Sequence, residues 1–446
     1  MTKLPLEGLR IVDISVIWAG PFATQLLADW GAEVIRVESC QHWQVATRGQ
    51  IAHPPEFLTK GEIGLPFMYP NREPGERPFN RLPFQVSFRN KLGCTMDLTK
   101  PKGKEIFRRL IERSDVFLES NAPDAMEKLG LTYDVVSSWN PNIIMVRLPG
   151  FGGTGPYKYY RALGSQQEGF ISHSWLRHYP DTDPTTNSMV FIVDDAGGAN
   201  AALATLMAVH YRNRTGKGQF MDMSQAEAAM PYLAPAFLDY TMNNRIMESI
   251  GNRDPSAIQG CYLCKDENGK WNLAAGNELE ITDSWVNITI KDDEEWDCFC
   301  RAIGNPEWTK DVRFNSSISR YQNQDELDRL IEEWTRKHSK YEVMHLLQAQ
   351  GVAAGPVIDE KDAVHDPHML ERGFFEELTH VDSGTHLYPG IIGKMSKTPN
   401  QLRLPPCRLG EHNEYVYKEI IGVSDEEYAE LEKEGHIGMD FVPEIR

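Results

Sequence analysis

Two adjacent carboxylates interrupt the stretch MVFIVDDAGGANAALATLMAVHYRNRTGKGQF, which runs from Met189 to Phe220. Asp194 and Asp195 follow an apolar run of strand length, Met189 to Val193, and precede small residues and a helical pattern. A carboxylate so placed can serve as a nucleophile, a general base or a helix cap. From Ala199 to Arg214, Leu203, Leu206, Met207 and His210 recur on one face at helical spacing. The aspartates are therefore expected at a strand-to-helix turn, where the positive end of the helix would hold a carboxylate ionised. One would be an N-cap and the other reactive, although composition alone favours caps or surface turn residues for both.

Other candidate chemistry is weaker. Cys261 and Cys264 in GCYLCKD have redox or zinc spacing, but their neighbours alternate like a strand, and Cys298 and Cys300 sit in a different pattern. His365 and His368 lie three apart with no third ligand at suitable spacing nearby. Thiols and loop histidines are expected, and no metal.

The elements that must position the aspartates alternate β and α. LRIVDIS (Leu9 to Ser15) reads as a strand, Pro21 to Trp30 as a helix and AEVIRVES (Ala32 to Ser39) as a second strand. Glu38 ends that strand where a dinucleotide fold places its ribose acid, yet the turn is SVIWAGP and not GxGxxG, so a Rossmann-like sheet without NAD is expected. His42 to Phe88 is a long Pro- and Gly-rich excursion. Lys102 to Ser114 then reads as a helix, SDVFLES, NIIMVRLPG and FMDMSQAEA as strand-bearing segments, and Ala228 to Arg245 as a helical linker or interface with two prolines. Strand alternation returns at Lys270 to Asn277, and helices are expected around DDEEWDCFCRAIG and DELDRLIEEWTRKH.

The fold class is thus α/β: a Rossmann-like doubly wound large domain over 1–227, a linker over 228–250, a smaller α+β domain over 251–350 and a return to the large domain over 351–446. A formal charge of -18 repels phosphate backbones, which argues against nucleic acid as a partner. The opening MTKLPLEGLRIVDIS has no signal-peptide pattern, and no apolar run approaches the roughly 18 residues of a membrane span. Seven cysteines, an odd number, suggest no disulfide framework. A cytoplasmic location without membrane contact is expected.

Six ordered motifs change the weighting of Asp194. PLEGLRIVDIS followed by AGPFATQLLADWGAEVIRVE, RNKLGCTMDLTKPKGKEIFRRLIERSDVFLESNAPDAMEKLGL, LPGFGGTGPY, RNRTGKGQFMDMS, GNRDPSA and GVAAGPVIDEKDAVHDPHMLERGFF span nearly the whole chain. Together they resemble the family III coenzyme A transferases (CaiB/BaiF type), the formyl-CoA and carnitine CoA-transferase group that includes α-methylacyl-CoA racemase. The resemblance implies an aspartate nucleophile 21 residues before Thr215, which is Asp194, and no catalytic role for Asp195. It implies a cycle in which CoA moves from an acyl-CoA donor to a carboxylic acid acceptor through an aspartyl anhydride and an aspartyl-CoA thioester. It also implies an interlocked dimer, either a homodimer or a heterodimer with a related subunit.

The same resemblance assigns Val16, Trp18 and Ala19 to the pantetheine path of CoA, and Met96, Ser120, Asn121, Lys128 and Leu129 to its adenosine end, with Lys128 and Arg161 as the cations for its phosphates. The chain departs from the family at Trp18, where formyl-CoA transferase has Gln, and at Ser39, where an adenine-contacting Arg would stand. GNRDPSA carries Asp254 in place of the usual His, and the family's glycine-rich lid is not evident. Racemization needs a His-Asp pair with the His 29 to 30 residues before the nucleophile, where this chain reads ALGSQQEGF and offers Ser165 and Gln166. An epimerase, with His173 as a distant substitute, and a non-catalytic CoA-binding subunit are the alternative readings. Arg177, His173 and His178, with neighbouring Trp and Tyr, would suit a dicarboxylic or aryl-substituted acceptor such as a substituted succinate.

Overall fold

Six short strands, the first five of them mostly buried, assemble into one parallel sheet in the order β3-β2-β1-β4-β5-β6. They are β1 (Arg10–Asp13), β2 (Glu33–Glu38), β3 (Lys91–Thr95), β4 (Val116–Glu119), β5 (Ile144–Arg147) and the less buried β6 (Gln219–Asp222). Ile11 registers with Val34 on one side and Val116 on the other. Burial on both faces needs apolar residues at successive positions, which is why these segments read as continuous apolar runs. Val12, Ile35, Phe117 and Met145 face one core, and Ile11, Val34, Val116 and Ile144 the other. Strand order reverses between β1 and β4, and in doubly wound sheets ligands collect beyond the carboxyl ends of the strands at that point.

The computed structural model describes residues 3–55, 76–188, 190–265, 271–272, 278–279 and 284–445. Contacts divide the chain into one unit of Met1–Ser174, Ser188–Ile246 and Glu371–Arg446, which holds this sheet, and a second of Trp175–Asn187 and Met247–Leu370. The helices of the first unit include α1 (Ala19–Asp29), α2 (Pro101–Ile111), α3 (Ala125–Leu129), α4 (Tyr133–Trp139), α5 (Gly164–Phe170), α6 (Ile192–Thr215), α7 (Gln225–Ala229) and α8 (Ala234–Asn243). The prolines of the 228–245 segment bound a short 3-10 turn, Met230–Leu233, before α8 begins. Of the long excursion, residues 56–75 lie outside the described residues, and the described part includes two Pro-initiated 3-10 turns, Pro78–Asn80 and Pro83–Phe88.

One expected strand, Met189 to Val193, is not formed by the described residues of that run. Met189 lies outside the described residues, while Val190 and Phe191 form no strand and Ile192 already begins α6. Phe191 takes a left-handed backbone, φ 55°, which ends the extended run and turns it into the helix. The place beside β5 is filled instead by β6, from the FMDMS segment.

The apolar face that the helical spacing marks on α6 is exposed, and its small-residue face is buried. Leu203 and Met207 are 55% and 59% exposed, whereas Ala201, Ala202, Thr205 and Ala208 are buried. Small residues let α6 come close to α1: a Cβ at Gly198 would lie 2.7 Å from the Ala19 carbonyl oxygen. Beneath the sheet's carboxyl edge runs a buried ionic network. Lys91 Nζ lies 3.1 Å from Asp13 Oδ2, Arg36 reaches both Asp13 and Glu38, and Arg48 pairs with Glu38 at 2.6 Å. Burial alone would raise the Asp13 acid, but Lys91 and Arg36 hold it below the ordinary carboxylate range, as Arg48 and Arg36 do for Glu38.

The second unit sets a three-stranded sheet of Ala353–Pro356, Trp285–Ile290 and Ile258–Leu263 against helices Asp293–Ala302, Gln324–Thr335 and Lys340–Gln348. Its core gathers Trp296, Phe299, Phe314, Ile331 and Leu347. Of the Lys270 to Asn277 strand reading, only Trp271–Asn272 is described, paired with Glu278–Leu279. All seven cysteines are free thiols, and among the described residues no group of three His, Cys, Asp or Glu side chains is placed to hold a metal ion. Among them too, no helix is long and apolar enough to cross a membrane.

Candidate active site

Because α6 starts at Ile192, Asp194 and Asp195 fall inside its first turn and neither is the N-cap; that position is Phe191, whose side chain cannot cap. The Asp194 N–H donates to the Phe191 carbonyl at 3.0 Å, and the residue is only 8% exposed. Helix α5 lies directly against it. A Cβ on Gly164 would stand 2.1 Å from Asp194 Oδ2 and 3.1 Å from Phe191 Cδ1, so only a glycine leaves room for the carboxylate. One turn on, Glu168 is 1% exposed and its Oε1 accepts the Ile192 N–H at 2.8 Å, with His173 Nδ1 3.8 Å away.

Asp195 turns the other way. Its Oδ1 accepts a hydrogen bond from Trp18 Nε1 at 3.1 Å, and the Trp18 ring lies 5.8 Å from that of Phe191 at 33°. The two rings form an aromatic wall beside the paired aspartates.

Burial, and then the charges of Asp195 and Glu168, push the Asp194 carboxyl up to about 7. Asp195 is also raised by burial, with the Trp18 bond working against the shift. This corrects the expectation that the helix end would keep the reactive carboxylate fully ionised. The first N–H of α6 is already taken by Glu168, and two like charges flank Asp194. The result is a dehydrated carboxylate, half ionised near neutral pH, suited to nucleophilic attack or proton transfer.

A second group forms at the carboxyl ends of β1 and β4. The Val16 N–H donates to Ser120 Oγ at 3.1 Å, that hydroxyl donates to the Val16 carbonyl at 3.2 Å, and Asn121 Nδ2 donates to the Ile14 carbonyl at 2.9 Å. Ile17, in a left-handed backbone of φ 65°, donates to Thr47 Oγ1 at 2.8 Å. The turn then leads through Trp18 into Ala19 at the start of α1. Val16, Trp18, Ala19, Ser120 and Asn121 are thus gathered on one edge of the sheet. Glu119 beneath them is pushed up to about 7 by burial, with the Asn121 N–H and Arg147 opposing.

The remaining predicted contacts are distributed differently. Lys128 is 70% exposed and pairs with Asp124 Oδ2 at 2.5 Å. Lys128 and, more weakly, Arg161 hold Asp124 below its ordinary range, so the two cations stand near one acid. Met96 is buried in the sheet core, and Leu129 packs partly against the same core. His173 lies in the first unit against Glu168, while Arg177 and His178 belong to the second. Sequence reasoning missed Gly164, Glu168 and Phe191. The first two stand four apart in ALGSQQEGF, on one helical face, and that spacing was the available signal.

A family model described as CoA-transferase family III matches residues 6–413. The succinyl-CoA–D-citramalate CoA-transferase of Chloroflexus aurantiacus is 30% identical over 431 residues, covering 96% of this chain and 97% of that one. The β subunit of the succinyl-CoA–L-malate CoA-transferase of the same organism is 29% identical, over 96% of this chain and 97% of its own. Among solved structures, a CAIB/BAIF family protein from Brucella suis aligns with a TM-score of 0.76 at 26% identity, covering 94% of this chain and all of that one.

Proposed function

Since the chain belongs to CoA-transferase family III and is a transferase acting on CoA thioesters, we propose that Asp194 is the nucleophile that carries CoA from an acyl-CoA donor to a free carboxylic acid. A carboxylate oxygen of Asp194 attacks the acyl carbonyl, the C–S bond breaks and CoA leaves as thiolate. The thiolate attacks the aspartyl carbonyl of the mixed anhydride, releasing the first acid as its carboxylate and leaving an aspartyl-CoA thioester. The acceptor carboxylate attacks that thioester, and the expelled thiolate then takes the new acyl group and frees Asp194. Anhydride and thioester are similarly activated, so no step climbs far. The observation that carries this reading is the placement of Asp194, dry enough to protect an anhydride from water and seated in the hollow left by Gly164.

The turn of Val16, Trp18 and Ala19 with Ser120 and Asn121 is the proposed pantetheine path, and Lys128 and Arg161 supply cations for the phosphates. Met96 and Leu129 belong to this proposal only as the core beneath the adenosine end. A dicarboxylic or aryl-substituted acceptor is supported by the acids in the relatives' names, D-citramalate and L-malate; Arg177, His173 and His178 are the side chains proposed from the sequence to recognise it. Arg177→Ala is then expected to raise the KM of the acceptor alone. Equal losses for every acid would remove that assignment.

We further propose an interlocked dimer, with an identical chain or a related subunit. Its support is the exposed apolar side of α6 and of α8, including Leu203, Met207, Leu238 and Met242, together with the subunit organisation named for a relative. Free thiols and a CoA substrate fit a cytoplasmic enzyme. An epimerase would need an acid/base pair where this chain has Ser165 and Gln166; deuterium incorporation at the α-carbon would mark it.

The test is intact-protein mass spectrometry after incubation with a panel of acyl-CoAs, with borohydride or hydroxylamine trapping. A CoA-sized adduct on Asp194, absent from Asp194→Ala, is the expected result. No adduct with any donor, despite CoA binding, would defeat the proposal.

A further inference from the structure

Helix α5 touches the start of α6 twice, through residues one turn apart. Gly164 makes the hollow for Asp194 Oδ2, and Glu168 holds the Ile192 N–H at 2.8 Å. A buried glutamate is costly unless it is partnered, and here its partner is the first backbone donor of the helix that carries the nucleophile. An unoccupied helix start would carry about half a positive charge and would stabilise the Asp194 anion, making it a weaker base.

The groups that face Asp194 from each neighbouring element are few. Asp195 stands on its own helix and Glu168 on α5, with His173 against Glu168. The β1–α1 turn brings the neutral Trp18, and α7 brings the neutral Gln225 against Gly197, its Glu227 being exposed. No lysine or arginine of the first unit pairs with Asp194 among the described residues.

We propose, on the reading of Asp194 as nucleophile, that Glu168 is a positioning residue for it: Glu168 occupies the start of α6 so that the helix end is neutralised by a carboxylate that does no chemistry. Asp194 keeps its geometry through Gly164 and its strength as a nucleophile through the anionic company of Glu168 and Asp195. A purely structural Glu168 would steady the helix without touching the titration of Asp194.

The test follows that titration without using CoA. Carbodiimide and glycine ethyl ester label the Asp194 peptide across pH 5 to 9, read by mass spectrometry, in wild type, Glu168→Gln and Glu168→Ala. Glu168→Gln keeps an oxygen for the Ile192 N–H but loses the charge, and is expected to move the labelling midpoint down by about half a pH unit or more. Glu168→Ala also frees the N–H and is expected to move it further. Single-turnover adduct formation at pH 8 should slow roughly threefold to tenfold in Glu168→Gln, as a weaker base attacks more slowly. A wild-type midpoint in Glu168→Gln overturns the proposal, and this near-isosteric variant decides alone if Glu168→Ala does not fold. If wild type forms no CoA adduct with any donor while the midpoint still moves, the nucleophile reading falls and the positioning role stands.

Discussion

Gly164 and Asp194 are in contact so close that the side chain of the one exists only because the other has none. The missing Cβ would stand 2.1 Å from Asp194 Oδ2, well inside van der Waals distance, and the Phe191 ring closes the other side at 3.1 Å. Gly164→Ala is therefore expected to fold but to swing the carboxylate away, lowering kcat by on the order of 100-fold with a much smaller change in CoA affinity. Steady-state kinetics alongside CoA binding by calorimetry separates the two effects.

Stability should carry a pH signature of the same residue. A carboxyl whose folded pKa is raised to about 7 binds a proton that the unfolded chain has released, so wild type loses stability as pH rises from about 4 to about 7. Asp194→Asn removes that loss. Above pH 7 it should be more stable than wild type by on the order of 4 kcal/mol, since each tenfold gain in proton affinity on folding is worth about 1.4 kcal/mol, and the two should converge near pH 4. Urea titrations at pH 4.5 and 8 check the sign, and a variant less stable than wild type at pH 8 would contradict it.

Trp18 contributes an N–H bond and a ring, and these can be separated. Trp18→Phe keeps an aromatic surface toward Phe191 but gives up the donor to Asp195 Oδ1. About 1 kcal/mol of stability should be lost, and Asp195, no longer relieved, should rise further. Thermal unfolding measures the first and Asp195 labelling against pH the second.

The buried network under β1 predicts a purely structural effect. Lys91 donates to Asp13, to the Pro21 carbonyl and to Thr24 Oγ1 at 2.6 to 3.1 Å. Lys91→Met should cost about 3 kcal/mol or more, because it leaves Asp13 buried with less compensation. Since Asp13 and Glu38 are both held below the ordinary range, their contribution is present above pH 4 and is lost as pH falls through their folded values. Acid unfolding of the variant should begin at higher pH than in wild type.

Much of the sheet was legible because its strands are buried on both faces and its turns carry Pro or Gly at helix boundaries. The run Leu9 to Ser39 reads almost residue by residue. The run Met189 to Val193 misled because apolar content does not distinguish a strand from a segment halted by one left-handed residue. Phe191 has nothing in its chemistry that announces φ 55°. The helical spacing of Leu203 and Met207 marked a face of α6 without saying whether it is buried, and the buried side is built from alanines that allow close helix approach. The Asp194 assignment came from the resemblance, while the four-residue spacing of Gly164 and Glu168 marks a shared helical face without telling that this face packs on the start of α6.

The contact between Gly198 and the Ala19 carbonyl bears on which substitutions the start of α6 tolerates. It ties α6, the helix that carries Asp194, to the turn after β1 through main chain, where mutation of side chains has little purchase. Trp18 and Phe191, projecting from either partner of that contact, are not what holds it together. Exchanging either ring therefore alters the wall beside Asp194 and Asp195 while α6 stays in register with the turn after β1, so the lining of this hollow and the frame that holds it are open to change separately.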